Sequence, residues 1–234
     1  MWLKNIILQV KNAVTDKKTG EKPGIVHKKG KEIRKIPDVT AVVLADLHMC
    51  FYEDVRKIKE VLRSEPYDCV IFLGDIMAED IKEFVPCAGG RPCLYILGNH
   101  DEWGQNNNIP GLTYIDGRTV SVNGVRISGV SGGPKYKEGP YGMRTEEEVR
   151  EALSHIEDTD ILISHESPYH LLNPNRSHAG FQAISDFLDE KRPPLHIFGH
   201  HHIDHEEIRN STREVCVYGC AVITTDPYSV KKIL

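Results

Sequence analysis

The chain has 234 residues, 40% hydrophobic and 27% charged, with a formal net charge of −5, a composition ordinary for one globular domain with at most a short appendage. No apolar run approaches the roughly 20 residues of a membrane span. The longest near the start, Ile6-Ile7-Leu8, is too short for the core of an export signal, and no small-residue cleavage site comes after it, so the expectation is a cytoplasmic protein with no membrane partner.

Residues 1–38 hold ten Lys and Arg against four Asp and Glu, a balance of +6, which leaves −11 on residues 39–234. This first segment differs in character from the rest of the chain. An apolar-leaning stretch from Leu3 to Val14 gives way to turn signals at Lys17-Lys18-Thr19-Gly20 and Pro23-Gly24, and a second extended piece runs through Ile33-Arg34-Lys35-Ile36. The reading is a basic N-terminal extension or β-hairpin over 1–38, packed on a main domain of 39–234. Its lysines are read as a solvated ribbon in preference to a nucleic-acid arm.

From residue 39 the pattern becomes regular. Val39 to Leu44 is a continuous β-branched run, as expected of a strand covered on both faces. Tyr52 to Arg63 has helical spacing, Cys69 to Leu73 is a second buried strand, Ala78 to Val85 a short helix, and Pro92 to Leu97 a third strand. Such alternation predicts an α/β architecture with largely parallel strands. The spacing then predicts strands at 112–115, 119–122 and 125–130, the last two joined by Asn123-Gly124, a strong hairpin turn. A loop opens at Ser131-Gly132-Gly133-Pro134. Thr145 before Glu146-Glu147-Glu148 predicts an N-cap and a helix to about Ile156. A strand at 160–164, a helix at 178–190, and strands at 194–198 and 214–218 complete the set; two packed sheets with helices outside accommodate them.

Six cysteines, Cys50, Cys69, Cys87, Cys93, Cys216 and Cys220, have spacings that match no zinc pattern, and reduced thiols are expected. The metal-binding signal lies elsewhere. Asp46-Leu47-His48, Gly74-Asp75, Gly98-Asn99-His100-Asp101, His165 and Gly199-His200-His201-His202 each come after a buried strand, where α/β sheets place their ligand crevice. Alone, Gly-Asp or Gly-Asn is a common turn, and a lone His is commonly a hydrogen-bonded interior residue. Together the five blocks supply enough Asp, His and Asn for two ions side by side, an arrangement suited to in-line attack on a phosphate ester. Residues two apart in extended chain point to one side, so Asp46 with His48, and His200 with His202, are expected to face one site, with Leu47 and His201 turned away. Asn99 and His100 are expected to diverge, one toward metal and one toward substrate. Imidazole donors suit Zn, Fe, Mn or Ni better than Mg or Ca.

These five blocks, in this order, resemble the signature of the calcineurin-like metallophosphoesterases over roughly residues 39–225. The resemblance implies an α/β fold, a double β-sandwich of two mixed sheets flanked by helices. It implies two divalent or trivalent transition-metal ions (Mn, Fe or Zn), one held by Asp46, His48 and His202, the other by Asn99, His165 and His200, with Asp75 bridging. It also implies attack by a hydroxide lying between the ions, and His100 as the substrate-facing catalytic residue that assists the leaving group. In the serine/threonine phosphatase branch the Gly-Asp block continues into an aspartate and a phosphate-clamping arginine; Ala78 and Glu79 stand at those positions here. Phosphodiesters are therefore favoured over phosphoproteins, with cyclic nucleotides, oligonucleotides and nucleotide or phospholipid headgroup diesters all open, and Glu79 or Asp80 a substitute for the missing aspartate. Tyr136, Tyr169, Arg176 and His178 are loop candidates for substrate contact, with exposed polar loop residues the favoured reading of each. Two alternatives stand beside this reading: a nuclease of the same family, disfavoured by the acidic body, and a non-catalytic metal-binding scaffold on this fold, resembling the retromer subunit.

Overall fold

Strands apolar on both sides need cover on both faces, and each sheet of this protein obtains it from the other sheet on one side and from helices on the opposite side. The computed structural model describes residues 32–49, 51–169, 171–172 and 178–234. Most of the predicted N-terminal hairpin, residues 1–31, and Arg176 lie outside the described residues. Residues 32–39 run without strand pairing, with Ile36 and Val39 buried.

In chain order the first strands are β1 (Thr40–Ala45), β2 (Cys69–Phe72), β3 (Cys93–Tyr95), β4 (Leu112–Tyr114), β5 (Thr119–Val122), β6 (Val125–Val130), and the short pair β7 (Gly133–Pro134) and β8 (Met143–Arg144). They continue as β9 (Ile161–Ser164), β10 (Leu195–Phe198), β11 (His205–Arg209), β12 (Thr212–Cys216), β13 (Gly219–Thr225) and β14 (Tyr228–Lys232). Four helices are described: α1 (Tyr52–Ser64), α2 (Ala78–Phe84), α3 (Glu146–Ser154) and α4 (Gln182–Lys191). One sheet has the order β14-β13-β1-β2-β3-β4 and the other β11-β12-β10-β9-β6-β5. Within them β1 to β4 are parallel, as are β6, β9, β10 and β12; β13, β14, β5 and β11 pair antiparallel. Both sheets are thus mixed.

Side-chain alternation sorts each strand between two cores. Ala41, Val43 and Ala45 of β1 join Ile71, Ile96, Ile127, Ile163 and Ile197 between the sheets. Val42 and Leu44 face the other way, with Phe72, onto Ile58 and Leu62 of α1 and Ile81 and Phe84 of α2. On the far side Leu162 and Val130 pack against Val149 and Leu153 of α3 and Ile184 and Leu188 of α4. The result is a helix–sheet–sheet–helix sandwich.

Local signals place several boundaries. Asn123 and Gly124 take positive φ, 50° and 81°, and turn β5 into β6 with Val122 opposite Val125. Thr145 Oγ1 accepts from Glu148 N while Glu148 Oε2 accepts from Thr145 N, a reciprocal cap that starts α3. The helix expected from residue 178 begins only at Gln182. Phe181 bridges to Pro168, and Gly180 (φ 78°) lies so close that a Cβ there would sit 2.2 Å from Pro168 O, so the chain stays extended until that contact is made. The strand expected at 214–218 lies at Thr212–Cys216. None of the described cysteines forms a disulfide, and no described helix is long and apolar enough to cross a membrane.

Candidate metal centre

The candidate ligands reach one place because the two sheets are stitched together at one end. His200 N, after β10, donates to Asp46 Oδ2, after β1, at 2.7 Å. His165 Nδ1, after β9, lies 2.8 Å from the carbonyl of Leu73, after β2. Gly199 N donates to His165 O at 3.0 Å and Asp46 N to Gly74 O at 3.1 Å. Every link joins backbone or side chain of one metal-binding block to another block or to the strand end that carries it.

The geometry that turns these residues inward differs from the extended alternation expected from sequence. Asp46, Asp75, His200 and His202 have φ of 57°, 55°, 69° and 54°, and Leu47–Met49 is a 3₁₀ turn. The strand stops before each ligand, and a left-handed residue reverses the chain. Asp46 and His48 therefore meet, as do Asp46 and His202, across turns and not along a strand. A left-handed backbone costs an L-residue about 1–2 kcal/mol, and such strain gathers at functional sites. Neighbouring glycines make room. A Cβ on Gly98 would sit 2.1 Å from Asp75 Oδ1, and one on Gly199 would sit 2.7 Å from Asp46 Oδ2.

Two overlapping groups result. Asp46, Asp75, His165 and His200, all buried, each offer a ligand atom within 4.8 Å of the others; Asp46, His48 and His202 do the same. Asp46 is common to both. Asp75 Oδ2 lies 3.6 Å from His165 Nε2 and 4.0 Å from His48 Nδ1. His202 Nε2 is 3.6 Å from Asp46 Oδ1. Asn99 is buried, with Oδ1 3.0 Å from His165 Nε2. His100, next in sequence, is exposed, its ring centroid 5.5 Å from that of His48, so Asn99 and His100 do diverge.

The donor set fits cations. Asp46 Oδ1 and His48 Nδ1 are buried with no hydrogen-bond partner among the described residues, a condition that costs about 1–3 kcal/mol per group unless something fills it. His165 Nδ1 faces a carbonyl, which only accepts, so that nitrogen carries a proton and Nε2 is the one turned to Asp75 and Asn99. Burial opposes charge on His165, yet Asp75 and Asp46 hold its pKa above the usual histidine value. Burial likewise opposes ionisation of Asp46, and the His202 side chain, His165 and the His200 N–H together pull it below the carboxylate range. Positive charge is wanted at this spot, as a proton or as a metal ion.

Three supporting features carried no role in the sequence reading. Asp101 Oδ2 accepts from both Gly98 N and Asp75 N at 2.8 Å, tying the ends of β2 and β3; its place in the Gly98–Asp101 block was the available signal. Glu166, fully buried, receives Ser167 N at 2.8 Å and lies 3.0 Å from His201 Nε2 through Oε1, with Oε2 3.3 Å from His200 Nε2. Burial raises the Glu166 pKa, but the His201 hydrogen bond and the neighbouring imidazoles outweigh it and leave the carboxyl below its ordinary value. Tyr218 stacks on His202 at 5.1 Å. His201 does point away from both groups, but to a defined partner. Of the loop candidates, His178 packs its ring 4.4 Å from His200, while Tyr136 and Tyr169 are exposed. Among the described residues no side chain hydrogen-bonds the His100 ring, and neither Glu79 nor Asp80 lies within 4.0 Å of it as an ion pair.

Comparison with known proteins sets this arrangement in context. The family model described as calcineurin-like phosphoesterase matches residues 39–204. Comparison with curated proteins finds no significant match. Among solved structures, TT1561 of Thermus thermophilus shares 12% identity at a TM-score of 0.64, covering 85% of this chain and 100% of that one. A structure described as a novel archaeal phosphodiesterase shares 14% at 0.54, covering 83% and 99%. The phosphopantetheinyl hydrolase of Mycobacterium tuberculosis shares 15% at 0.55, covering 77% and 89%. At these identities the likeness is one of fold.

Proposed function

The chain belongs to the calcineurin-like phosphoesterase family, and on that premise we propose that it hydrolyses phosphodiesters at a two-ion centre. In this reading Asp46, His48 and His202 would hold one ion and Asn99, His165 and His200 the other, with Asp75 a ligand available to both. The observation that carries the reading is the pair of overlapping ligand groups around Asp46, with Asp46 Oδ1 and His48 Nδ1 buried and unsatisfied. Two bound transition ions would supply charge neutralisation for the phosphoryl group and an acidified water.

The protein's own residues do the rest. The stitched loops fix donor positions before substrate arrives, which spares reorganisation during reaction. His100 is exposed, its ring 5.5 Å from that of His48, and would serve a departing alkoxide as proton donor; its backbone N–H donates to Asp75 Oδ1 at 2.8 Å and anchors the residue without restraining the ring. Glu79 and Asp80 occupy the first turn of α2, where the phosphatase branch carries its phosphate clamp. Acidic residues there oppose the dianion of a monoester more than the monoanion of a diester. The folds of an archaeal phosphodiesterase and a phosphopantetheinyl hydrolase are in keeping with this class.

The test is turnover of bis-p-nitrophenyl phosphate beside p-nitrophenyl phosphate, with Mn, Fe or Zn added to metal-stripped protein. Metal-dependent hydrolysis with preference for the diester supports the proposal. Preference for the monoester overturns the diester assignment; tight metal uptake without turnover of either substrate points to the scaffold reading.

A further inference from the structure

A second set of metal-type side chains lies beside the proposed centre: Glu166, His178 and His201 gather around His200, with ring centroids 4.4 Å (His178–His200), 5.6 Å (His178–His201) and 5.6 Å (His200–His201) apart. A third ion is not what this set holds. Among the described residues the ligand atoms come within mutual reach only in the two groups already described, and neither contains Glu166, His178 or His201.

What the set does contain is a fully buried carboxylate with one oxygen committed and one not. Glu166 Oε1 is fixed by Ser167 N at 2.8 Å, Ser167 Oγ at 3.1 Å and His201 Nε2 at 3.0 Å. Among the described residues Oε2 has no hydrogen bond of good geometry, and it lies 3.3 Å from His200 Nε2. A buried carboxylate oxygen left in that state is costly, and the atom placed to relieve it is the ring nitrogen of a proposed ligand. An imidazole that gives one N–H to a carboxylate presents the opposite nitrogen as a fixed, more basic donor.

We propose that Glu166 is a positioning residue for the second ion: it holds the His200 ring with Nε2 toward its own Oε2 and Nδ1 toward the ion. His201 and Ser167 keep the carboxylate in place, which gives the middle histidine of Gly199-His200-His201-His202 a task distinct from its neighbours'. The inference rests on the two-ion reading given under the proposed function. Outer partners of this kind change metal affinity by roughly 10–100-fold.

The experiment is calorimetric titration of metal-stripped full-length protein with Mn²⁺, together with the melting temperature of the metal-free form, for wild type, Glu166→Gln and Glu166→Asp. Expected are two sites in wild type, one of them weakened about 10–100-fold in Glu166→Gln with the other unchanged. Metal-free melting should stay close to wild type, and Glu166→Asp should recover part of the affinity. Glu166→Gln keeps the side-chain shape, so it remains informative even where a smaller residue fails to fold. Two sites of wild-type affinity in Glu166→Gln would overturn this inference alone. So would equal weakening of both sites with a large fall in metal-free melting, the mark of a general structural role. A wild type that takes up only one ion would overturn the two-ion reading and this inference with it.

Discussion

His196 on β10 and Glu214 on β12 stand directly opposite each other, fully buried, on the helix-covered face of the second sheet. Among the described residues neither carboxylate oxygen of Glu214 has a hydrogen bond, and Arg209 is paired with it, Nε lying 3.8 Å from Oε1. His196 Nε2 is 2.8 Å from Ser164 Oγ, and Nδ1 has no hydrogen-bond partner among the described residues. Burial pushes Glu214 up to about 7 despite Arg209. Burial, and then the Arg209 charge, push His196 down to about 3.

The two groups impose opposite pH dependences. Unfolded Glu214 titrates near 4.5, so between pH 4.5 and 7 the folded chain holds its proton more tightly and stability falls as pH rises through that window. Unfolded His196 titrates near 6.5, so its contribution is present above 6.5 and is lost as pH drops toward 3. Glu214→Gln is expected to raise the melting temperature at pH 8 by several degrees, an upper bound of about 3 kcal/mol, and to change little at pH 4. Melting curves across pH 4–8 check this; equal effects at both ends would contradict it.

Because Asp75 is the residue read as shared by the two ions, with Oδ2 3.6 Å from His165 Nε2 and 4.0 Å from His48 Nδ1, Asp75→Ala should abolish uptake of both ions. His202→Ala should impair one alone. The expected activity loss for Asp75→Ala exceeds the roughly 10–100-fold typical of a supporting residue. Metal content of the dialysed variants, measured beside turnover, decides between shared and separate roles.

Removing metal should also lower stability, since ions that bind only the folded chain add about 2.7 kcal/mol at a hundredfold excess over Kd. A chelator should reduce the melting temperature of wild type and leave Asp75→Ala unmoved. A chelator effect of equal size in both would place the ion elsewhere.

His100→Ala should retain metal affinity and lose about 10²–10⁴-fold in kcat toward a diester with a poor leaving group. The loss should shrink with p-nitrophenolate, which departs without a proton. A uniform loss across leaving groups would give His100 a binding role instead.

Gly98→Ala tests the close approach of β2 and β3. A Cβ there would sit 2.1 Å from Asp75 Oδ1 and 2.6 Å from Asp75 N, so Asp75 must move. Activity and metal uptake should fall sharply. Gly124→Ala, at a turn with open space around it, should cost only the strain of its positive φ and leave activity intact.

Much of this was legible in the sequence where local chemistry decides structure. The β-branched runs gave β1, β2 and β9, Asn123-Gly124 gave the β5–β6 turn, and Thr145 with Glu148 gave the start of α3. The strands β11, β13 and β14 were not read. In β13, Gly219-Cys220-Ala221 lack strand propensity, and the pairing with β1 that stabilises them spans more than 170 residues. At the centre, the ligand blocks announced which side chains meet, but not how. The left-handed backbone of Asp46, Asp75, His200 and His202 is imposed by the stitching between sheets, a tertiary constraint that residue types do not encode. Glu166 was hidden for a similar reason: a glutamate beside a histidine has no meaning until β10 brings His200 and His201 against it.

The pairing of β1 with β13, Thr40 opposite Thr224 and Ala45 opposite Gly219, also bears on synthesis. During translation β1 leaves the ribosome long before its neighbour exists, and one row of its amides and carbonyls waits for a partner. Such an unpaired edge invites pairing with other chains. Shielding of that edge over the interval would protect the strand that leads into Asp46 from misassembly.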